Sequence, residues 1–392
     1  MAKRAYRYVS ADSHAHISTE RWADRVPEKF RDRLPKRVRL PDGGEGMMDE
    51  RGRIQFGGTG HFSGHTPEEF DPLRIDYDSS PGYGSAEARL KERDADEGVD
   101  AEIIFSLTGS VFGLRGGDDK DQAVAVMHAY NGYLAEEFCA VDRDRLLGIG
   151  VLPDMGVDED IAEMEHCAKL GLRGVMLGRY PSGNIYPTPE DDRFWAAALD
   201  LDMPLTIHTS MSGLTFKRGD FMMKYPIEPE GYDRPAVDLV YMMSRYMHHH
   251  CGGLELTQMI LSGLFDRFPK LKIFWAENNV GWVPIFLEQM DINYESSRFW
   301  AERLLGFKPL ARRPSEYALE HAYWGFFDDP IGMRLRHEVG VEHIMWGGDF
   351  PHEVSRWPHS VEHMAAQLAD VPEDEQRKMM CENTVKFFHL DR

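Results

Sequence analysis

Short apolar runs alternate with longer amphipathic segments along most of this chain. Runs that are mainly apolar, rather than apolar at every second position, indicate strands buried on both faces, as in a parallel sheet. Eight runs have this character: Tyr6–Asp12, Ala101–Leu107, Leu146–Leu152, Leu172–Leu177, Pro204–His208, Leu271–Ala276, Ala322–Phe326 and His343–Trp346. Eight strand–helix units favour a closed (β/α)8 barrel, an α/β fold, over an open doubly wound sheet, and no GxGxxG motif follows a strand to support the latter.

The segments between these runs carry the apolar spacing that is typical of helices. The predicted helices are Asp119–Val141, Val157–Leu170, Glu190–Asp200, Pro235–His250, Gly253–Phe268, Trp282–Leu305 and Pro372–Phe388, with one more after Pro330. The polar, glycine-rich segment 41–84 predicts turns and loops, and it is too long for an ordinary connection. We therefore predict one domain, 1–392, with cap or lid insertions at about 27–90 and 209–234.

The charge of the chain narrows the range of partners. Its 392 residues include 45 Lys and Arg against 66 Asp and Glu, a formal net charge of −21. Such a chain repels polyphosphates, so nucleic acid is not expected as a partner. The amino-terminal segment lacks an apolar core, and no run approaches the roughly 20 apolar residues of a membrane span. The four cysteines form no CxxC pair, which fits a reducing compartment, and we expect a cytoplasmic enzyme without a membrane partner.

Ligand-type side chains follow four of the predicted strands, where the active site of such a barrel lies. They are Asp12, His14 and His16 after the first strand, His208 on the fifth, Glu277 after the sixth, and Asp349 with His352 after the eighth. Side chains alternate along a strand, so Asp12, His14 and His16 are predicted to share one side. Any one of these residues could be structural, as a helix cap or in a salt bridge. Their joint occurrence predicts a metal site, and a set of six or seven ligands favours two divalent ions, because one catalytic zinc uses about three.

Two other groups of polar residues leave their roles open. His248, His249 and His250 lie in a helical pattern, so they cannot all face the same way, and a solvated helix end is one interpretation. Arg179, Lys217 and Arg218 could meet a phosphate or carboxylate of the substrate, or remain on the surface.

The motifs around these residues resemble those of the amidohydrolase superfamily, in the group that contains aminocarboxymuconate semialdehyde decarboxylase. The resemblance lies in DSHAH from Asp12, IHT from Ile207, FDRFPKLKIFWAENNVGWVP from Phe265 and IMWGGDFPH from Ile344. It implies a TIM barrel with metal at His14, His16, His208 and Asp349. Decarboxylases of this group usually carry a histidine in an AHGG stretch, where this chain has Glu277 in AENN.

Longer segments, such as VPEKFRDRLPKRVRLPDGG, resemble a mainly actinobacterial branch that includes a non-haem diiron monooxygenase of platensimycin and platencin biosynthesis. This resemblance implies two iron ions and hydroxylation of a bulky, CoA-linked, terpenoid-type acid in secondary metabolism. Glu277 and Asp349 are the predicted catalytic residues. The alternative is a zinc- or manganese-dependent decarboxylase or hydrolase of an aromatic or cyclic acid, with one of these carboxylates as base. A metal-binding scaffold without activity is a third interpretation. Either enzyme would bind a small-molecule substrate. The resemblance is also compatible with a homo-oligomer of this chain.

Overall fold

The computed structural model describes residues 5–56, 63–66, 68–69, 71, 73–106, 111, 114–211 and 251–392. Within these ranges the strands are β1 (Tyr8–Ala15), β2 (Lys36–Arg39), β3 (Glu45–Met48), β4 (Ile54–Phe56), β5 (Val99–Ser106), β6 (Leu146–Gly148), β7 (Gly150–Val151), β8 (Val175–Leu177), β9 (Leu205–His208), β10 (Ile273–Ala276), β11 (Ala322–Phe326) and β12 (Ile344–Trp346).

Nine of these strands form the parallel barrel that the apolar runs predict. One run of neighbours is β1–β5–β6, and the other is β7–β8–β9–β10–β11–β12. β6 and β7 are two parts of one barrel position, separated only by Ile149, whose amide donates to the carbonyl of Ile104 at 3.0 Å. β12 and β1 meet through a single parallel bridge between Ser13 and Phe350. The α/β barrel is therefore confirmed, although its strands are short and this last seam is not a continuous ladder.

Helices cover the outside of the barrel, and one continuous apolar core lies between the two layers. They are α1 (Glu28–Arg31), α2 (Ala86–Ala95), α3 (Lys120–Tyr133), α4 (Val157–Leu170), α5 (Asp192–Asp200), α6 (Gly253–Leu261), α7 (Leu264–Arg267), α8 (Val283–Leu305), α9 (Pro314–His321), α10 (Pro330–Val339), α11 (Ser360–Gln367), α12 (Glu373–Arg377) and α13 (Asn383–Phe387). Among the described helices, none is long and apolar enough to cross a membrane.

Local sequence signals mark where several helices begin and end. The Asp119 side chain accepts a hydrogen bond from the amide of Gln122 and so caps the first turn of α3. Gly171 and Gly306 end α4 and α8 in the left-handed conformation that glycine adopts without strain. The predicted helix Gly253–Phe268 is interrupted for the same reason, because Gly263 has φ of 71° between α6 and α7.

A small antiparallel sheet, in the order β2–β3–β4, lies where turns and loops were predicted, with β2 just before that segment and β3 and β4 within it. Gly43 and Gly52 have φ of 100° and 74°, which allows the two tight connections of this sheet. Across the first connection, Arg37 Nη2 donates to both carboxylate oxygens of Glu45 at 2.7 Å. The glycines were interpreted as loop markers, but here they are hairpin turns. The predicted helix 235–250 and nearly all of the predicted insertion 209–234 lie outside the described residues.

A buried ionic cluster joins α2 to β5 behind the seam of the barrel. Arg89 makes two hydrogen bonds to Glu102, at 2.6 and 2.9 Å, and Arg93 lies 3.6 Å from the same carboxylate. The guanidinium carbons of both arginines lie over the ring of Phe350, at 4.3 and 4.4 Å from its centroid. All of these charges are almost fully buried, so their mutual pairing is essential.

We expect the substitution Glu102→Gln to lower the free energy of unfolding by about 3 kcal/mol or more, because it leaves two buried guanidinium groups without their main counter-charge. Urea denaturation measures this. The matched control is Glu295→Gln, which breaks an exposed pair with Arg298 at 3.0 Å on α8 and is expected to change stability by less than about 1 kcal/mol. Equal effects of the two substitutions would contradict the assignment of a buried, interdependent cluster.

Candidate metal centre

Six ligand-type side chains meet at the carboxyl-terminal end of the barrel strands. β1 carries Asp12 and His14, and β9 ends at His208. Glu277 directly follows β10, and Asp349 follows β12 by three residues, with His352 one turn further on. Asp12, His14, His208 and Glu277 each offer a ligand atom within 4.8 Å of the others, and so do His14, Glu277, Asp349 and His352.

The centre of this arrangement is Nε2 of His14. It lies 3.0 Å from Oδ1 of Asp349, 3.2 Å from Nε2 of His208 and 3.6 Å from Oδ1 of Asp12. Nε2 of His208 lies in turn 3.6 Å from Asp12 and 3.4 Å from Oε2 of Glu277. Ligands bonded at about 2.0–2.2 Å to a tetrahedral ion are separated by roughly 3.3–3.6 Å, so three of these distances match such a site and the two shortest, 3.0 and 3.2 Å, need only a small movement apart.

Several buried polar atoms at this point have no hydrogen-bond partner among the described residues. Both carboxylate oxygens of Asp12 and one of Asp349 are buried and find no hydrogen-bond partner within the described part of the chain. The two imidazole nitrogens that face each other at 3.2 Å can share at most one proton without repulsion. A divalent ion would satisfy all of these atoms, and imidazole with carboxylate is a donor set that suits zinc or manganese.

The two groups of ligands overlap at His14 and Glu277. Both contain His14, and its Nε2 contacts His208, Asp12 and Asp349 alike. An imidazole nitrogen has a single lone pair and therefore binds a single ion. The prediction of two ions rested on the number of ligands, whereas the shared nitrogen of His14 favours one position for an ion over two.

The backbone has an unusual conformation at the ends of three strands that carry ligand-type residues. Thr209, Glu277 and Asp349 have φ of 58°, 57° and 50°, a region that non-glycine residues rarely occupy. Each stands at or just beyond the end of a barrel strand, where the chain turns sharply across the mouth. Such strain of about 1–3 kcal/mol per residue persists where the surrounding structure enforces it, as it often does at functional sites.

Backbone hydrogen bonds fix the first and last strands to each other at the site. The amide of Asp349 donates to the carbonyl of Asp12 at 2.9 Å, and the amide of His14 donates to the carbonyl of Phe350 at 2.7 Å. Ser10 Oγ donates to the same Asp12 carbonyl. A β-carbon on Gly347 would lie 2.7 Å from the β-carbon of Asp12, so this approach requires glycine.

The side chain of Asn278 likewise joins the ends of β9 and β10 by hydrogen bonds. Its amide nitrogen donates to the carbonyls of Thr209 and Ala276, at 3.1 and 2.7 Å, and its oxygen accepts from the amide of Gly252. These bonds hold the ends of β9 and β10, and with them His208 and Glu277. In the sequence Asn278 stands out only as part of a motif and Ser10 not at all, because neither residue has a ligand's chemistry.

His16 lies apart from the ligand groups among the described residues. β1 ends at Ala15, so the alternation that would turn His16 toward His14 no longer applies. Its ring instead stacks on that of Tyr77, at 5.0 Å between centroids, and packs against the tilted ring of Tyr83 at 4.4 Å. Burial lowers the pKa of His16 to about 3. Of the predicted trio Asp12, His14 and His16, the structure brings Asp12 and His14 together and leaves His16 outside the ligand groups.

Burial and mutual charge control protonation in this cluster. Burial and the charge of Asp349 raise the pKa of Glu277 to about 8. Burial opposes a charge on His352, but its contact with Asp349 at 2.8 Å outweighs this and raises its pKa to about 9. Burial and the charge of His352 lower the pKa of His14 to about 4, which leaves its imidazole neutral, as a metal ligand must be.

Of the other basic residues that the sequence singles out, the structure describes Arg179. Arg179 follows β8 at the barrel mouth and is half-buried, with Nη2 3.4 Å from the carbonyl of Gly116. Beside it, Arg115 lies 2.7 Å from Asp154, a buried pair that the sequence reasoning did not identify because no motif marks it. Lys217, Arg218 and the histidines 248–250 lie outside the described residues.

Known proteins resemble this chain in sequence and in fold. The profile of the family described as "Amidohydrolase" matches residues 11–390. Decarboxylase orsB of Emericella nidulans is 26% identical over 231 residues, which cover 57% of this chain and 64% of the relative, somewhat less than two thirds of its length. Gamma-resorcylate decarboxylase of Polaromonas sp. is 22% identical over 286 residues, 70% of this chain and 79% of the relative.

Among solved structures, 5-carboxyvanillate decarboxylase of Novosphingobium aromaticivorans superposes with a TM-score of 0.65 at 19% identity, over 98% of this chain and 96% of that one. That protein was crystallised with manganese and 4-hydroxy-3-methoxy-5-nitrobenzoic acid. The predicted diiron monooxygenase is therefore wrong: the similar proteins are decarboxylases, and none of these comparisons supports an iron oxidoreductase of secondary metabolism.

We expect His14→Ala to lose the metal ion of the barrel mouth, because its Nε2 is the common neighbour of the other ligands there, whereas His16→Ala should retain that ion. Metal analysis of the purified variants after dialysis against manganese or zinc measures this. Similar losses in both variants would instead support the ligand pair expected from the HxH motif.

Proposed function

Because this chain belongs to the amidohydrolase family, we propose that it is a metal-dependent decarboxylase of an aromatic carboxylic acid. The observation that carries the proposal is the convergence of Asp12, His14, His208 and Asp349 on one buried point at the mouth of the barrel. The similarity to decarboxylases of hydroxylated benzoic acids supports the substrate class.

The four converging side chains would hold a single divalent ion, zinc or manganese, and the manganese in the carboxyvanillate enzyme supports this choice. When bound, the ion supplies Lewis-acid stabilisation of negative charge on the substrate's oxygen atoms. The fixed backbone around Asp12 and Asp349 keeps these ligands in place before substrate arrives.

Glu277 is proposed as the acid that protonates the ring. Decarboxylation breaks the bond between the ring carbon and the carboxylate carbon, releases carbon dioxide and leaves an electron pair on the ring carbon. That carbon takes a proton from the Glu277 carboxyl group, which is later restored from solvent. Glu277 stands where related decarboxylases keep a histidine, and it is buried beside His208 at 3.4 Å.

His352 is proposed to position Asp349 rather than to bind the ion. Its Nδ1 lies 2.8 Å from Oδ1 of Asp349, and its ring stacks on that of His14 at 4.2 Å between centroids. A partner of this kind orients a ligating carboxylate, and loss of such a partner usually weakens metal binding by about 10–100-fold.

The insertion 27–90 is proposed as a lid over the site. The amide of His16 donates to the carbonyl of Gly82 at 3.0 Å, and the amide of Ser63 donates to the carbonyl of Pro351 at 3.2 Å. These bonds attach the insertion to two of the strand ends that carry ligands, those of β1 and β12. A cover of this kind excludes water, which would otherwise weaken the electrostatic interactions within the site.

The proposal predicts oxygen-independent release of carbon dioxide from at least one member of a panel of hydroxybenzoic acids. The panel includes 2,6-dihydroxybenzoate, orsellinate and 5-carboxyvanillate, incubated with enzyme loaded with manganese or zinc. Chromatography identifies the decarboxylated phenol, and Asp12→Asn serves as the control that lacks the ion. Full metal content without turnover of any aromatic acid in the panel would contradict the substrate class.

We expect Glu277→Gln to lower kcat by about 10²–10⁴-fold, because the amide cannot deliver a proton, while the metal content is retained. Glu277→His, which restores the residue type of the related decarboxylases, should retain measurable activity. A Gln variant as active as the native enzyme would show that another group protonates the ring.

A further inference from the structure

A second group of ligand-type side chains lies outside the barrel, between α3 and α4. His128 is on α3, and Glu163 and His166 are three residues apart on α4, so they lie on one face of that helix. One ligand atom from each lies within 4.8 Å of the others. The group shares no residue with the site at the barrel mouth.

The contacts between the two helices are close. Nδ1 of His128 lies 3.0 Å from Oε2 of Glu163. The rings of His128 and His166 stack with 3.7 Å between their centroids and 22° between their planes. Two ligands bonded at about 2.0–2.1 Å to a tetrahedral ion are separated by roughly 3.3 Å, so a small movement would allow an ion to replace the proton between His128 and Glu163.

Hydrogen bonds hold the carboxylate of Glu163 in position without any bound ion. Its carboxylate is buried, and Oε1 accepts a hydrogen bond from the side chain of Asn131 at 2.8 Å. Asn131 also exchanges two hydrogen bonds of 2.9 Å with the backbone of Val151 on β7. One carboxylate oxygen is thus fixed to the barrel, while the other faces the histidines.

His166 provides the second independent observation. Its Nε2 is buried and has no hydrogen-bond partner in the described part of the chain. A buried nitrogen without a partner is costly, and a ligand at this position would satisfy it. His128 remains 57% exposed, which gives an ion in solution access to the group.

We propose that His128, Glu163 and His166 form a second metal site, which binds one zinc ion or a similar divalent transition metal from solution. Two imidazoles and one carboxylate, with an open position toward water, are a donor set that zinc accepts readily. The ion would join α3 to α4 directly. It would therefore stabilise the folded chain by mass action, by an amount that rises with the logarithm of the free metal concentration once the site is largely filled.

The test uses the zinc-loaded full chain. Equilibrium dialysis against free zinc, followed by metal analysis, should give one more zinc per chain for the native protein than for the double variant His128→Ala/His166→Ala. Glu163→Gln retains the hydrogen bond from Asn131 and should weaken binding of this extra zinc by about tenfold or more. Added zinc should raise the Tm of the native protein more than that of the double variant.

The matched control is His337→Ala. His337 is also exposed on a helix and lies 2.9 Å from a glutamate of a neighbouring helix, Glu375, but no third ligand joins them among the described residues. This variant should bind as much zinc as the native protein. Equal zinc content in the native protein and the double variant would overturn the proposal. Because the readout is a difference between variants, it does not depend on whether the barrel-mouth site binds metal or decarboxylates an acid.

Discussion

The hydrogen bonds between β1 and the segment after β12 are the constraint on which the candidate active site depends. They join Asp12 to Asp349 and His14 to Phe350, so ligands that are more than 330 residues apart in sequence are held by one pair of backbone contacts. Gly347 permits this approach, and the buried arginines beneath Phe350 support it from behind. The closure of the barrel and the assembly of the metal centre are therefore one structural event.

Much of the architecture could be predicted because it is written in local patterns. Each mainly apolar run became a strand of the barrel within a few residues of its predicted bounds, and polar residues that follow such runs met at one end. The small sheet β2–β4 was not predicted, because its turns use the same glycines that mark loops. The pairing of Arg89 with Glu102 likewise cannot be predicted from the local sequence, since it depends on how α2 packs against β5.

The chemistry was harder to predict than the fold. A strand's alternation places His16 beside His14 only while the strand continues, and β1 ends at Ala15. The number of ligands suggested two ions because a sequence cannot distinguish a ligand from a neighbour that orients it. Only distances show that Asp12, His208 and Asp349 all surround the same nitrogen of His14.

The left-handed backbone at Glu277 and Asp349 also constrains how this protein can evolve. Glycine would relieve the strain at either position, by about 1 kcal/mol, but it would remove a side chain that the site uses. Selection for greater thermal stability alone would therefore favour replacements that erase the site. A protein that retains both carboxylates is less stable than one with glycine at these positions. Stabilising substitutions would then have to occur elsewhere, for example on the helices that surround the barrel.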